Sequence, residues 1–382
     1  MNPVQKKFLR IGGSAFLLLI LFIFALRFFC PMNPIKKILL GTAGGSILLL
    51  VSFISVLHLL CLKKLIRRIL TGAASTVVLL IVFSITALFT CGCNIGNRIQ
   101  SSGYTAWEKT DGTICKSIPY GTQKKERFDL YLPATLDTNK THAVMLFIHG
   151  GAWIVGQRTD MDYVCKRYAK EGYITATMSY TLLKHLTRPT PGVNVTTMLD
   201  EIETCIKQIK TTTAEMGYKV DQLALSGYSA GSHLALLYAF SRYESSPLPI
   251  RFVFEQVGPI DFHLGSFEND PKKVAQLASA LSGTEISAEQ ITNGQAEKTL
   301  SSLSPVPYIR SQNIPVLCSY GGKDWLVKPI HRKRLIAALE ENKIPYQFID
   351  FKNSDHLLQK DPDCRQAYHQ AVLEFARKYF GY

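Results

Sequence analysis

No aspartate or glutamate occurs in the first 97 of the 382 residues, and the first acidic side chain is Glu108. The same segment holds ten Lys or Arg residues, so it carries +10 of the formal net charge of +14 and leaves only +4 for the rest. Basic excess over a whole chain would point to a nucleic-acid partner. Here the charge is confined to the flanks of apolar runs, which excludes that reading. Cysteine shows no paired pattern. Of nine, Cys30, Cys61, Cys91 and Cys93 lie in or beside the apolar runs, and Cys115, Cys165, Cys205, Cys318 and Cys364 form an odd set without C-x-x-C spacing. One or two disulfides and a set of buried thiols are both open for these five. Neither internal repeats nor low-complexity tracts are present.

What the first quarter has instead is length of apolar sequence. Ile11 to Phe29, interrupted only by Arg27, then Ile38 to Leu62 and Ile69 to Cys93, both uncharged, are each about the roughly 20 residues needed to cross a bilayer. Three transmembrane helices are expected, with residues 1–97 as a membrane anchor contacting the lipid bilayer through residues 11–93. A cleaved signal peptide is the competing reading of the first run, but no small-residue cleavage site follows it. With the N-terminus cytoplasmic, seven basic residues fall inside (Lys6, Lys7, Arg10, Lys63, Lys64, Arg67, Arg68) against four outside or at outer boundaries (Arg27, Lys36, Lys37, Arg98). That balance places the remainder, residues 98–382, in an extracytoplasmic compartment.

From about Ile99 strand-like and helix-like stretches alternate. Strands are expected at 113–118, 128–132, 143–149, 174–179, 223–228, 252–257, 316–320 and 346–351, and helices at 161–171, 196–211, 232–242, 329–342 and 366–379. This predicts an α/β class with a mainly parallel eight-stranded sheet flanked by helices. Residues 261–308 break the alternation with short polar and helical fragments, and are expected to form a small cap or lid insertion.

Two motifs point to chemistry. Gly227-Tyr228-Ser229-Ala230-Gly231 lies between the apolar stretch 223–226 and a helical one from Ser232, the context in which G-x-S-x-G forms a sharp strand-to-helix turn presenting its serine. A larger residue at either glycine is expected to cripple the site. His149-Gly150-Gly151-Ala152-Trp153 follows an apolar strand and reads as a glycine-rich oxyanion loop. A serine hydroxyl is a weak nucleophile without a base, and the base needs an orienting acid. Asp324, in the loop after the strand 316–320, and His356, in the loop after 346–351, both fall at the sheet edge of the serine turn. His331 and His369 lie inside expected helices, His263 in the expected cap, and His233 points away along the helix after Ser229. The candidate catalytic residues are therefore Ser229, Asp324 and His356. The backbone amides of Gly150, Gly151 and Ala230 are the candidate oxyanion donors, the last at a helix N-terminus. Trp153 and Tyr228 are the candidate substrate-binding residues, with core packing an equal alternative for Trp153.

Phe128-Asp129-Leu130-Tyr131-Leu132-Pro133, His149 to Trp153, Gly227 to Leu234, Ser304-Pro305 and Gly322 to Val327 occur in an order that resembles the hormone-sensitive-lipase-like and carboxylesterase families of α/β-hydrolase esterases. The resemblance spans roughly 113–380. It implies the α/β-hydrolase fold and carboxylic-ester hydrolysis through an acyl-serine intermediate, with no metal and no cofactor. A single alanine after His-Gly-Gly places the chain nearer the carboxylesterases than lipases with longer glycine runs. Three spans before such a domain are similar in layout to plant prenylcysteine methylesterases. The expected function is a membrane-anchored serine ester hydrolase acting on a small or lipid-like ester. An amidase, peptidase or acyltransferase on the same triad, and a catalytically silent hydrolase-fold interaction protein, are the alternatives.

Overall fold

The computed structural model describes residues 106–310 and 312–381. The three expected spans lie outside the described residues, and among the described residues no helix is long and apolar enough to cross a membrane. The strands are β1 (Gly112–Pro119), β2 (Arg127–Pro133), β3 (Thr141–Ile148), β4 (Ile174–Met178), β5 (Lys219–Tyr228), β6 (Ile250–Gln256), β7 (Val316–Gly321) and β8 (Tyr346–Phe351). They form one sheet in the order β1-β2-β4-β3-β5-β6-β7-β8. β1 and β2 pair antiparallel and β2 joins β4 antiparallel, while every pair from β4 to β8 is parallel. This is the α/β-hydrolase arrangement.

The helices are α1 (Asp162–Lys170), α2 (Val195–Glu215), α3 (Ala230–Ser241), α4 (Pro271–Ser282), α5 (Ala288–Thr292), α6 (Glu297–Leu303), α7 (Pro329–Glu341) and α8 (Pro362–Phe380). Side-chain alternation along β3 shows why the sheet is covered on both faces. Val144, Leu146 and Ile148 join the core shared with α2, α3 and α7, while Ala143, Met145 and Phe147 join the core shared with α1 and α8. Asn194 starts α2 by accepting from Thr197 N at 3.0 Å. Pro362 opens α8 at a position where a missing N–H costs nothing.

The segment 261–308, expected as a small cap or lid insertion, lies between β6 and β7. Val274, Ala275, Ala278 and Leu281 of α4 and Leu300 and Leu303 of α6 are buried in the same apolar cluster as α2 and α3. Asp261 anchors its start, accepting from Arg334 Nη1 of α7 at 2.5 Å and pairing with His263 Nδ1 at 2.5 Å and with the Ser266 hydroxyl. The insertion thus packs into the shared core. The five cysteines of the described region, Cys115, Cys165, Cys205, Cys318 and Cys364, are all free thiols, which settles the disulfide alternative for them.

Candidate active site

Each glycine of the serine turn is required by a close approach. A Cβ on Gly231 would lie 2.0 Å from the carbonyl oxygen of Ile148, and one on Gly227 would lie 2.2 Å from the carbonyl carbon of Gly231. The helix can therefore start hard against β3 and β5 only without those side chains. Ser229 sits between them at φ 55°, ψ −118°, a strained conformation for a residue with a Cβ. Its amide donates to Gln256 O at 2.9 Å and its carbonyl accepts from His233 N at 3.1 Å, which hold the turn.

Ser229, His356 and Asp324 come together from three loops at one sheet edge. Ser229 Oγ lies 2.9 Å from His356 Nε2, and His356 Nδ1 lies 2.7 Å from Asp324 Oδ2. A carboxylate can only accept, so Nδ1 carries the proton and Nε2 faces the hydroxyl as an acceptor. Asp324 is itself immobilised, because its other oxygen accepts from the amides of Leu326 and Val327, each at 2.9 Å. The acid and base loops are joined backbone to backbone, with Gly322 N on Phe351 O at 2.9 Å and Lys323 N on Ser354 O at 2.9 Å. Asp361 holds the far side of the base loop by accepting from Ser354 Oγ at 2.6 Å and Asn353 Nδ2 at 2.8 Å.

The glycine-rich loop lies directly beside the serine. A Cβ on Gly150 would lie 2.7 Å from Tyr228 O and 3.4 Å from Ser229 Cβ, and Gly151 has φ +109° and turns the chain so that its carbonyl accepts from Ile154 and Val155. Among the described residues no backbone carbonyl accepts from the amides of Gly150, Gly151 or Ala230. His149 supports the loop from beneath: its ring stacks on Tyr180 at 4.3 Å, its Nδ1 bonds Gly150 O at 2.7 Å, and burial lowers its pKa.

The two expected substrate contacts are engaged elsewhere. Trp153 is 4 % exposed, donates from Nε1 to His233 Nδ1 at 3.2 Å and packs against Phe262, so its ring is core and not a pocket wall. His233 in turn donates from Nε2 to Leu303 O at 2.8 Å, which ties the oxyanion loop through α3 to α6, and burial pushes its pKa down to about 4. The Tyr228 hydroxyl donates to the carbonyl of His356 and its ring meets the imidazole edge-on at 5.8 Å, so Tyr228 positions the base loop. Sequence offered only weak signals for either role, since both partners are remote along the chain. Among the described residues no group of three or more His, Cys, Asp or Glu side chains could hold a metal ion.

One carboxyl behind the turn has no counterpart in the sequence reading. Glu255 pairs in register with Gly227, is fully buried, accepts from Gly258 N at 3.1 Å through Oε2 and leaves Oε1 without a partner. Burial raises its pKa to about 8. The folded chain then keeps a proton that the unfolded chain releases near the ordinary carboxyl value, so this group's contribution to stability is complete in acid and is lost as pH rises through about 8. Glu255→Gln is expected to remove that dependence. Thermal melts of both proteins between pH 5 and 9 should show the variant's Tm gaining on wild type with rising pH, and parallel curves would refute the buried proton.

The BD-FAE family profile matches residues 128–339, more than half of the chain, running from within β2 into α7. The chain belongs to the BD-FAE family. This BD-FAE member is 32% identical over 122 residues to a probable isoprenylcysteine alpha-carbonyl methylesterase of Oryza sativa subsp. japonica, covering 32% of this chain and 27% of the rice protein. It is 24% identical over 276 residues to esterase LipQ of Mycobacterium tuberculosis, covering 69% of this chain and 62% of LipQ. The chain thus aligns to about a quarter of the rice protein and under two thirds of LipQ. A truncated form of a carbohydrate esterase from gut microbiota superposes with a TM-score of 0.58 at 16% identity, covering 72% of this chain and 99% of that one, which shows the shared fold.

Proposed function

We propose that this BD-FAE family protein is a serine hydrolase of carboxylic esters. The observation that carries the reading is the continuous chain Asp324 Oδ2, His356 Nδ1, His356 Nε2 and Ser229 Oγ, with contacts of 2.7 and 2.9 Å. His356 takes the hydroxyl proton as Ser229 attacks the ester carbonyl, and Asp324 stabilises the imidazolium that forms. The amides of Gly150, Gly151 and Ala230 receive the oxyanion, the last with the positive end of α3 behind it. His356 then protonates the leaving alcohol, and water attacks the acyl-serine by the same route in reverse. The esterase names of the rice and mycobacterial relatives support ester substrates, and the carboxylesterase-like glycine loop supports a small or lipid-like ester. The apolar runs within 11–93, with the basic residues flanking them, support anchoring in a bilayer with the hydrolase domain on the extracytoplasmic side.

Fluorophosphonate probes form a stable adduct only with an activated serine. Labelling of the full chain is expected to be stoichiometric, with the adduct mapping to Ser229 by peptide mass. Folded protein that stays unlabelled, or labels at another serine, would end the assignment.

A further inference from the structure

Large apolar side chains exposed to solvent are few among the described residues, and they are not scattered. Of six, Val155 (59 %), Trp325 (69 %), Leu326 (51 %) and Leu357 (40 %) lie in the three loops that carry the site, and only Met216 and Tyr243 lie elsewhere. Single exposed apolar residues need no explanation, but concentration in the loops that carry the reacting groups does. Trp325 and Leu326 immediately follow the acid, Leu357 immediately follows the base, and Val155 closes the turn of the glycine-rich loop. Three of these positions are held through their backbone amides. Leu326 N is held by Asp324 Oδ1 at 2.9 Å, Leu357 N by Asp355 Oδ1 at 3.0 Å, and Val155 N by Gly151 O at 3.0 Å. The bond from Leu326 N to the acid Asp324 thus fixes a reacting group and an exposed apolar residue together, and Trp325 lies between those two residues.

We propose that these four residues form the binding surface for a long apolar group of the ester, and that the natural substrate is an ester carrying such a group and not an acetyl ester of a polar compound. The proposal rests on the ester-hydrolase reading above. A carbonyl carbon poised for attack lies about 3 Å from Ser229 Oγ. Ser229 is sunk among the three loops, so a chain of more than a few carbons leaving that point must cross their rims. Trp325 offers the largest apolar face there, and a ring that is free in water gains most from covering such a chain. Each methylene removed from water favours binding by roughly fourfold, so selection by this surface would appear as a dependence on chain length. A polar sugar or small acid would leave it uncovered.

The test uses the full chain in one detergent buffer and 4-nitrophenyl esters from acetate to octanoate. In wild type the ratio of kcat/KM for octanoate to that for acetate is expected to exceed about ten. In Trp325→Ser, Leu326→Ser and the double variant Trp325→Ser/Leu357→Ser that ratio is expected to fall, by about tenfold in the double variant, with the loss chiefly in KM. Met216→Ser, exposed but remote, should keep the wild-type ratio. Fluorophosphonate labelling of Ser229 in each variant reports that the site is folded, and the two single variants at exposed positions guard against loss of the double variant. A wild-type ratio below about ten, or a ratio unchanged in the labelled variants, overturns the proposal. So does an unchanged ratio accompanied by weaker recovery on phosphatidylcholine vesicles, which would make the surface a membrane contact. Ser229→Ala separates the two levels, since hydrolysis that survives it refutes the ester-hydrolase reading itself, whatever the chain-length profile.

Discussion

Ser229→Ala is expected to lower kcat for ester hydrolysis by on the order of 10⁵- to 10⁶-fold, with the Tm close to that of wild type. The loss is large because the hydroxyl oxygen is the atom that bonds to the acyl group, and no other nucleophile lies at the end of the His356 imidazole. The fold tolerates the change because alanine keeps the same Cβ in the strained turn, while Gly227 and Gly231, whose close approaches define that turn, are untouched. His356→Ala should cost nearly as much, and the double variant little more than either single one, because the hydroxyl and the imidazole act as a unit. Whatever rate remains above water reflects the oxyanion amides and binding. Steady-state kinetics on 4-nitrophenyl esters, read with thermal melts, decides the matter: a folded Ser229→Ala protein retaining more than about one per cent of wild-type activity is incompatible with the mechanism.

Asp324→Asn should cost about 10⁴-fold in kcat near neutral pH while leaving KM and stability little changed. The surroundings dictate how asparagine would orient. The two amides of Leu326 and Val327 that now bond Oδ1 are donors and require an acceptor, so the new side chain must turn its carbonyl oxygen to them. Its NH₂ group then faces Nδ1 of His356 in place of a carboxylate oxygen, and two donors cannot share that contact. The imidazole shifts its proton to Nε2 and presents an N–H to Ser229, so it cannot accept the hydroxyl proton. Part of the activity is expected to return at alkaline pH, where hydroxide can assist removal of the proton. A variant with wild-type kcat would show that another carboxylate orients the base, and Asp355, one residue before His356, would be the first to test by the same substitution.

Much of the site was readable because its positions are fixed by local rules. A serine on a strand-to-helix turn demands small neighbours two residues to either side, and Gly227 and Gly231 supply them; glycines that admit a backbone beside the serine must follow a strand, as Gly150 and Gly151 follow β3. Asp324 and His356 stand out because each lies just beyond the carboxyl end of an apolar strand. What escaped notice depends on partners far away in sequence. Whether the Trp153 ring faces substrate or core is decided by His233 and Phe262, 80 and 109 residues later. The burial that keeps a proton on Glu255 comes from elements on both sides of β6, and nothing in Phe254-Glu255-Gln256 records it. The helix expected to end near Thr211 continues through Glu215, because Thr213 is buried and bonds Ile209 O at 2.9 Å, so tertiary packing overrides the weak helical preference of three consecutive threonines. Residues 261–308 were recognisable as an interruption, but the apolar seam that fastens them to α2 and α3 was not.

The stitching between the loops after β7 and β8 changes how many independent pieces the machinery has. Because Gly322 and Lys323 are bonded to the backbone of Phe351 and Ser354, carboxylate and imidazole ride on one block, and the nucleophile rides on a second built from β5 and α3. Alignment of three groups thereby reduces to one adjustable gap between two rigid parts, and the phenol of Tyr228, rooted in the second part and fastened to the first, is the strut that spans it. Anyone grafting this constellation onto another scaffold would have two bodies and a spacer to place, not three separate side chains.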